Sequence, residues 1–235
     1  MRLCTHQPIF LPWPGFFWKA LHADVMVLLD TVQFPLGRGW MSRNRVKSDQ
    51  GELWLSVPVR RKGLGLQRID QVVIAEDGDW RRTHLRGIRH QYAHAPYLGE
   101  YLPAIEAAYS RGAPGDRRLL EHNLALIRVL WDGLGIRCRL VLQSDLQAGG
   151  QGTELLVGIC QAAGAKAYIA LPQAAAYIDA SRFEAAGIEL KRVPFRPPVY
   201  PQLWGEFRYN LSTLDLLLTC GPKARDILAG VLKPR

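Results

Sequence analysis

The chain has 235 residues, 48% hydrophobic and 22% charged, with a formal net charge of +9. Such a chain buries roughly 70% of its unfolded surface without a disulfide or metal staple, and its composition excludes disorder and fibrous repeats. The positive charge favours anionic partners: phosphorylated small molecules, nucleic acid or acidic lipid.

Arg2–His6 reads as a short strand. Gln7–Gly15 holds three prolines and is expected to be a stiff, shaped loop. Gly15–Ala23 fits a short helix anchored by Phe16, Phe17, Ala20 and Leu21, and Val25–Leu29 is an apolar run of the kind found in a strand covered on both faces. Strand, loop, helix and strand within this stretch make a βαβ opening. Gln33–Lys47, rich in Gly, Arg and Asn, is expected to be loop; Trp54–Val59 and Ile69–Ile74 are expected strands, with a mobile basic loop at Arg60–Leu66 between them.

Trp80–Tyr92 and Leu98–Tyr109 carry helical spacing. Asp116 is placed to cap a longer helix ending before Gly135, with Asn123 as the one polar member of its apolar face. Strands at Cys138–Leu142, Ala167–Leu171 and Ile188–Val193 alternate with helices at Glu154–Ala163 and Phe183–Ala186, and a last buried helix covers Leu211–Cys220 with Ser212 near its start. This alternation predicts an α/β fold with a mostly parallel, Rossmann-like sheet flanked by helices and a helical middle segment. A single α/β domain over 1–235 is expected, with 75–134 as a helical subdomain.

Cys4, Cys138, Cys160 and Cys220 lie in or beside apolar runs with no CxxC spacing, which points to reduced core thiols in a cytoplasmic protein. The first thirty residues are broken by His6, Pro8, Pro12, Pro14, Lys19, His22 and Asp24, so no signal peptide is expected. No apolar run approaches the roughly 20 residues of a membrane span. His90 and His94 are one turn apart but lack a third ligand motif, and no metal is expected from them. No Gly-rich dinucleotide fingerprint, phosphate-binding loop or nucleophile elbow occurs, so no cofactor is indicated.

The open ends of parallel strands are where α/β proteins take ligands. His6 and Gln7 fall at the first such end and Asp30 at the second, with Trp13 and Lys19 between them and Gln33, Trp40, Arg43, Asn44, Arg45 and Lys47 following. A base, a carboxylate, amides and cations in this order suit the binding and reaction of an anionic substrate.

The run HQPIFLPWPGFFWKALHADVMVLLDTVQF, then WMSRNRVK and GELWLSVPV, closely resembles the WbqC-like protein family. The resemblance continues through Trp80, His84, Ile88, Tyr92, Pro96 and Tyr97, returns in YIDASRFEAAGIEL and Tyr200-Pro201-Gln202, and ends in LSTLDLLLTCG, so it spans nearly the whole chain. It implies His6, Gln7, Trp13, Lys19, Asp30, Gln33, Trp40, Arg43, Asn44, Lys47, His84, Tyr92, Tyr177, Gln202 and Asp215 as motif positions, and surface-polysaccharide or modified-sugar synthesis as the setting. Phe10, Ser42 and Ala170-Leu171-Pro172 depart from the pattern, the last in a segment near Tyr177 that bears on substrate choice. The opening also has a weaker likeness to nucleotidyltransferases, without their paired histidines.

Three functions are carried forward. The first is a transferase moving an acyl, aminoacyl or similar group onto a sugar nucleotide or a carrier-linked small molecule, with an acyl-carrier protein as a possible partner. In it His6 is the general base, Asp30 orients, Gln7 or Asn44 donates to an oxyanion, Lys19, Arg43 and Arg45 hold phosphate, and Tyr177, Tyr200 and Gln202 select the acceptor. The second is a nucleotidyl or phosphoryl transferase with Mg²⁺ held by phosphates and Asp30. The third is a non-enzymatic nucleic-acid- or protein-binding module; the scattered arginines and lack of a reader motif speak against nucleic acid.

Overall fold

A computed structural model describes residues 1–37, 39–75, 78–111 and 118–231. The expected helix cap, Asp116, lies outside them, as does part of the 75–134 segment. The strands are β1 (Arg2–His6), β2 (Val25–Leu28), β3 (Arg43–Ser48), β4 (Gly51–Ser56), β5 (Arg139–Leu142), β6 (Ala167–Ala170) and β7 (Glu189–Arg192). The α-helices are α1 (Pro14–His22), α2 (Trp80–Gln91), α3 (Leu98–Ser110), α4 (Leu119–Gly133), α5 (Gly152–Ala162), α6 (Pro172–Ala175), α7 (Ala180–Ala185), α8 (Thr213–Cys220) and α9 (Ala224–Leu228). They form two compact units. One comprises Met1–Gln7, Gly15–Thr31 and Ile136–Arg196; the other comprises Pro8–Pro14, Val32–Gly135 and Pro197–Arg235.

The first unit is built on a five-stranded sheet in the order β5-β2-β1-β6-β7. Every neighbouring pair is parallel. Residues of β2 and β6 are buried throughout, as expected of parallel strands covered on both faces. Burying each large aliphatic side chain contributes about 1.5–3 kcal/mol. Strand order reverses at β1: the next strands in sequence build outward on the β2 side, and β6 then pairs with the opposite edge of β1. This is the arrangement of an α/β Rossmann-like sheet, and the carboxyl ends of β1 and β6 mark its switch point. Thr5 and Tyr168 hydroxyls bond at 2.7 Å between these two strands. Helix α5 stops at Gly164, whose φ of +68° permits the amide of Ala165 to reach the Cys160 carbonyl at 2.8 Å.

The second unit combines the antiparallel β3–β4 hairpin with α2, α3, α4, α8 and α9. Here the expected loop at Gln33–Lys47 is corrected: its last part is strand β3, in register with β4 from Arg43 opposite Ser56 to Ser48 opposite Gly51. The segment expected as a strand at Ile69–Ile74 instead opens with a 3₁₀ turn at Ile69–Gln71, followed by isolated bridges at Val73 and Ile74.

Asparagine amides organise this unit's interior. Asn123, fully buried on α4, donates to the carbonyls of Pro8 at 2.7 Å and Met41 at 2.8 Å, which explains this polar residue among apolar neighbours. Phe10, Trp80, His84, Tyr109 and His122 pack together as an aromatic cluster, with His122 stacked on Phe10 at 5.9 Å and edge-on to Trp80 at 5.2 Å. All four cysteines are free and buried. Among the described residues no helix is long and apolar enough to cross a membrane.

Candidate active site

His6, Gln7, Lys19, Asp30 and Tyr177 belong to the first unit. Trp13, Gln33, Trp40, Arg43, Asn44, Arg45, Lys47, His84, Tyr200 and Gln202 belong to the second. Each group is built from its own surroundings.

In the first unit, His6 closes β1 at the switch point. Its Nδ1–H donates to the Gln7 carbonyl at 2.9 Å, which fixes the tautomer and leaves Nε2 with its lone pair. The ring lies edge-on to Phe16 of α1, with centroids 4.9 Å apart. Burial, and next the Lys19 charge, lower the His6 pKa to about 3, so the ring is neutral at physiological pH. Lys19 is 7% exposed, and its Nζ donates to the Thr5 carbonyl at 2.5 Å. Burial lowers its pKa to about 8, which still leaves it mostly charged at neutral pH. A buried ammonium whose bonded partner is a carbonyl rather than a carboxylate keeps its charge available to an anion.

The Asp30 carboxylate is bonded to Ser144. Its Oδ2 accepts the Ser144 hydroxyl at 2.6 Å and its Oδ1 the Ser144 amide at 3.1 Å, tying the end of β2 to the turn after β5. Tyr177 is 89% exposed beyond α6. Cys4 has its thiol pushed up to about 12 by burial and is not a nucleophile at neutral pH.

In the second unit, the hairpin register puts Arg43, Arg45 and Lys47 on one face with Glu52, Trp54 and Ser56. The Arg43 guanidinium lies 3.9 Å over the Trp54 ring and that of Arg45 lies 5.8 Å from it. Arg45 also pairs with Glu52 at 3.0 Å. Trp40 stacks on Trp54 with centroids 5.8 Å apart, and both tryptophans are exposed. Gln33 is exposed and bridges Arg68 through the backbone; Trp13 is half-buried.

Several expected site residues have their polar atoms engaged within the fold. Asn44 is buried; its Nδ2 donates to the carbonyls of Phe10 at 3.2 Å and Leu11 at 2.6 Å, and its Oδ1 accepts the Arg45 amide. His84 accepts the Ser56 amide at Nε2 and donates from Nδ1 to the Tyr109 hydroxyl, and burial lowers its pKa to about 4. Gln202 clasps the Arg208 backbone through both ends of its amide. Arg61 belongs to the stretch expected to be mobile, yet its guanidinium donates to the carbonyls of Pro35 and Leu36.

One cluster was not singled out from the residues themselves. Asp215 of α8 is fully buried and accepts the Tyr92 hydroxyl at 2.6 Å; that hydroxyl in turn accepts the Lys47 amide at 2.9 Å. Lys47 is itself buried and donates from Nζ to the Glu206 carbonyl. Burial pushes the Asp215 carboxyl up to about 6, against the pull of Tyr92, Tyr200 and Lys47. An unfolded aspartate titrates near 3.9. The native state therefore holds this proton more tightly, and the contribution is full below about pH 4 and lost as pH rises through about 6. Asp215→Asn should gain roughly 2–3 kcal/mol relative to wild type between about pH 4 and pH 7.5, read from denaturant unfolding at both. A stability difference that does not change with pH would show that Asp215 does not titrate in this range.

Among the described residues no group of three or more His, Cys, Asp or Glu side chains is placed to hold a metal ion. The family model described as "WbqC-like protein family" matches residues 7–227. The chain is 33% identical over 229 residues to the "Uncharacterized protein Rv1507c" of Mycobacterium tuberculosis (strain ATCC 25618 / H37Rv), covering 97% of each chain. No solved structure matches.

Proposed function

The chain belongs to the WbqC-like protein family, and we propose that it is a transferase that moves an acyl, aminoacyl or similar group onto a sugar nucleotide or carrier-linked small molecule. The observation that carries this reading is that His6 ends β1 while the Lys19 ammonium is bonded to the carbonyl of the preceding residue, Thr5. Nε2 of His6 is free to take a proton because Nδ1–H is held on the Gln7 carbonyl. Lys19 supplies a buried positive charge close enough to depress the His6 pKa.

The two effects work together. An anionic group bound at Lys19 offsets the positive field on His6 and raises its basicity as the substrate arrives. With a thioester donor, His6 removes the proton from the attacking amine or hydroxyl as its bond to the acyl carbon forms, Lys19 stabilises the developing negative charge, and the C–S bond then breaks, the thiolate leaving with the proton returned from His6. Gln7 acts through its carbonyl, as the group that positions the imidazole, and Asp30 acts by fixing the neighbouring strand end through Ser144.

The test is a thermal-shift screen of the full chain against sugar nucleotides, nucleoside triphosphates, CoA thioesters and carrier-protein thioesters. A true ligand raises the melting temperature by mass action, by about 2.7 kcal/mol of stability at a hundredfold excess over its Kd. A shift from a thioester or sugar nucleotide supports the reading. A shift from nucleoside triphosphates alone, with release of pyrophosphate, overturns it in favour of nucleotidyl transfer.

A further inference from the structure

The second unit contains a pocket of about 600 Å³ lined, among the described residues, by Leu36, Gly37, Ser42, Arg43, Ser56, Val57, Val59 and Arg61. That volume lies in the range of small-molecule sites, roughly 300–1,000 Å³. Among the described residues the lining contains two guanidiniums, two hydroxyls and three aliphatic side chains, and no carboxylate.

Both guanidiniums are held by aromatic rings instead of acidic partners. Arg43 lies 3.9 Å over Trp54, which is itself backed by Trp40. Arg61 lies 4.5 Å over Phe34 and is anchored by the Pro35 and Leu36 carbonyls at 2.8 and 2.9 Å. An aromatic face or a carbonyl fixes a guanidinium without neutralising it, so the charge and the remaining N–H donors stay available. The secondary structure fixes the rest: Arg43 and Ser56 are directly opposed across the hairpin, and the Val57 amide is tied to the Ser42 carbonyl at 2.7 Å.

We propose that this pocket is a binding site for an organic diphosphate. Arg43 and Arg61 take the two phosphates, whose oxygens match the planar guanidinium fork. Ser42 and Ser56 donate from their hydroxyls, and the organic part lies on Leu36, Val57 and Val59. The assignment rests on the second unit alone and stands independently of the His6 reading.

The test is isothermal titration of the full chain with UDP, inorganic pyrophosphate and uridine in about 0.1 M salt, where surface attraction is screened beyond ~10 Å. UDP should bind at one site, more tightly than pyrophosphate, and uridine should not bind measurably. Arg43→Gln should weaken UDP about tenfold or more, as expected for loss of a charge-assisted bidentate contact, and Arg61→Lys should do likewise. Arg192→Gln, at an exposed position of β7 in the first unit, should leave the affinity unchanged. The proposal is overturned if wild type does not bind UDP, or if Arg43→Gln binds it as wild type does. Loss of binding in Lys19→Met alone would also overturn it, by placing the anion in the first unit, and would leave the transferase reading standing.

Discussion

Replacing His6 by alanine is expected to lower turnover by about 10²–10⁴-fold while leaving the ligand-induced rise in melting temperature intact. The separation follows from the geometry. The His6 imidazole touches Phe16 and the Gln7 carbonyl, and it carries no charge at neutral pH with which to hold an anion. In the proposed mechanism Lys19 holds the anion, so Lys19→Met should raise KM and reduce the melting shift instead. The pH profile provides a second readout. With His6 lowered to about 3 in the free protein, kcat/KM should show no acid limb from this group near pH 6. Bound anion raises its basicity, so the acid limb of kcat should lie at higher pH than that of kcat/KM. The alkaline limb belongs to Lys19, which loses its proton at about 8 and with it the attraction for the substrate. A His6→Ala protein that turns over at the wild-type rate would remove the histidine from the mechanism.

The sheet was legible because parallel strands buried on both faces leave uninterrupted apolar runs. Val25–Leu28 and Ala167–Ala170 are such runs, and a polar or prolyl residue follows each within two positions. Strand β3 was hidden because RNRVKS buries polar side chains as well as Val46: Asn44, Lys47 and Ser48 are all inside, the first two held by partners distant in sequence. The site was legible at the level of position but not of role. A polar residue beside a strand end looks the same in sequence whether it faces a substrate or a backbone carbonyl. His6 has a free ring nitrogen, whereas Asn44 and Asp30 have their polar atoms bonded inside the fold. Asp215 was marked by the family resemblance alone and its contact was not legible, because its partner Tyr92 is 123 positions away. Arg61 was read as part of a mobile loop because nothing local signals that Pro35 and Leu36 would anchor it.

Asn44→Ala is expected to destabilise the fold by about 2–4 kcal/mol, seen as a lower denaturant midpoint with an unchanged slope. The side chain holds three backbone groups: the carbonyls of Phe10 and Leu11 and the amide of Arg45. Alanine leaves these without their partner in a buried setting, where each orphaned group costs about 1–3 kcal/mol less whatever relaxation recovers. The Leu11 backbone adds to this. Its φ of +41° is a left-handed conformation that a non-glycine residue adopts at a cost of about 1–3 kcal/mol, and the shorter of the two Asn44 donations ends on its carbonyl. Once that hold is gone, the Pro8–Pro14 segment relies more heavily on the Asn123 anchor at Pro8, the backbone bonds at Phe10 and Pro12 and the packing of the Phe10 ring. Asn44→Asp separates the two halves of the side chain. It preserves an acceptor for the Arg45 amide but turns a carboxylate oxygen toward two carbonyls, so it should be at least as damaging as alanine. If both variants unfold at the wild-type midpoint, the amide of Asn44 does not hold this loop.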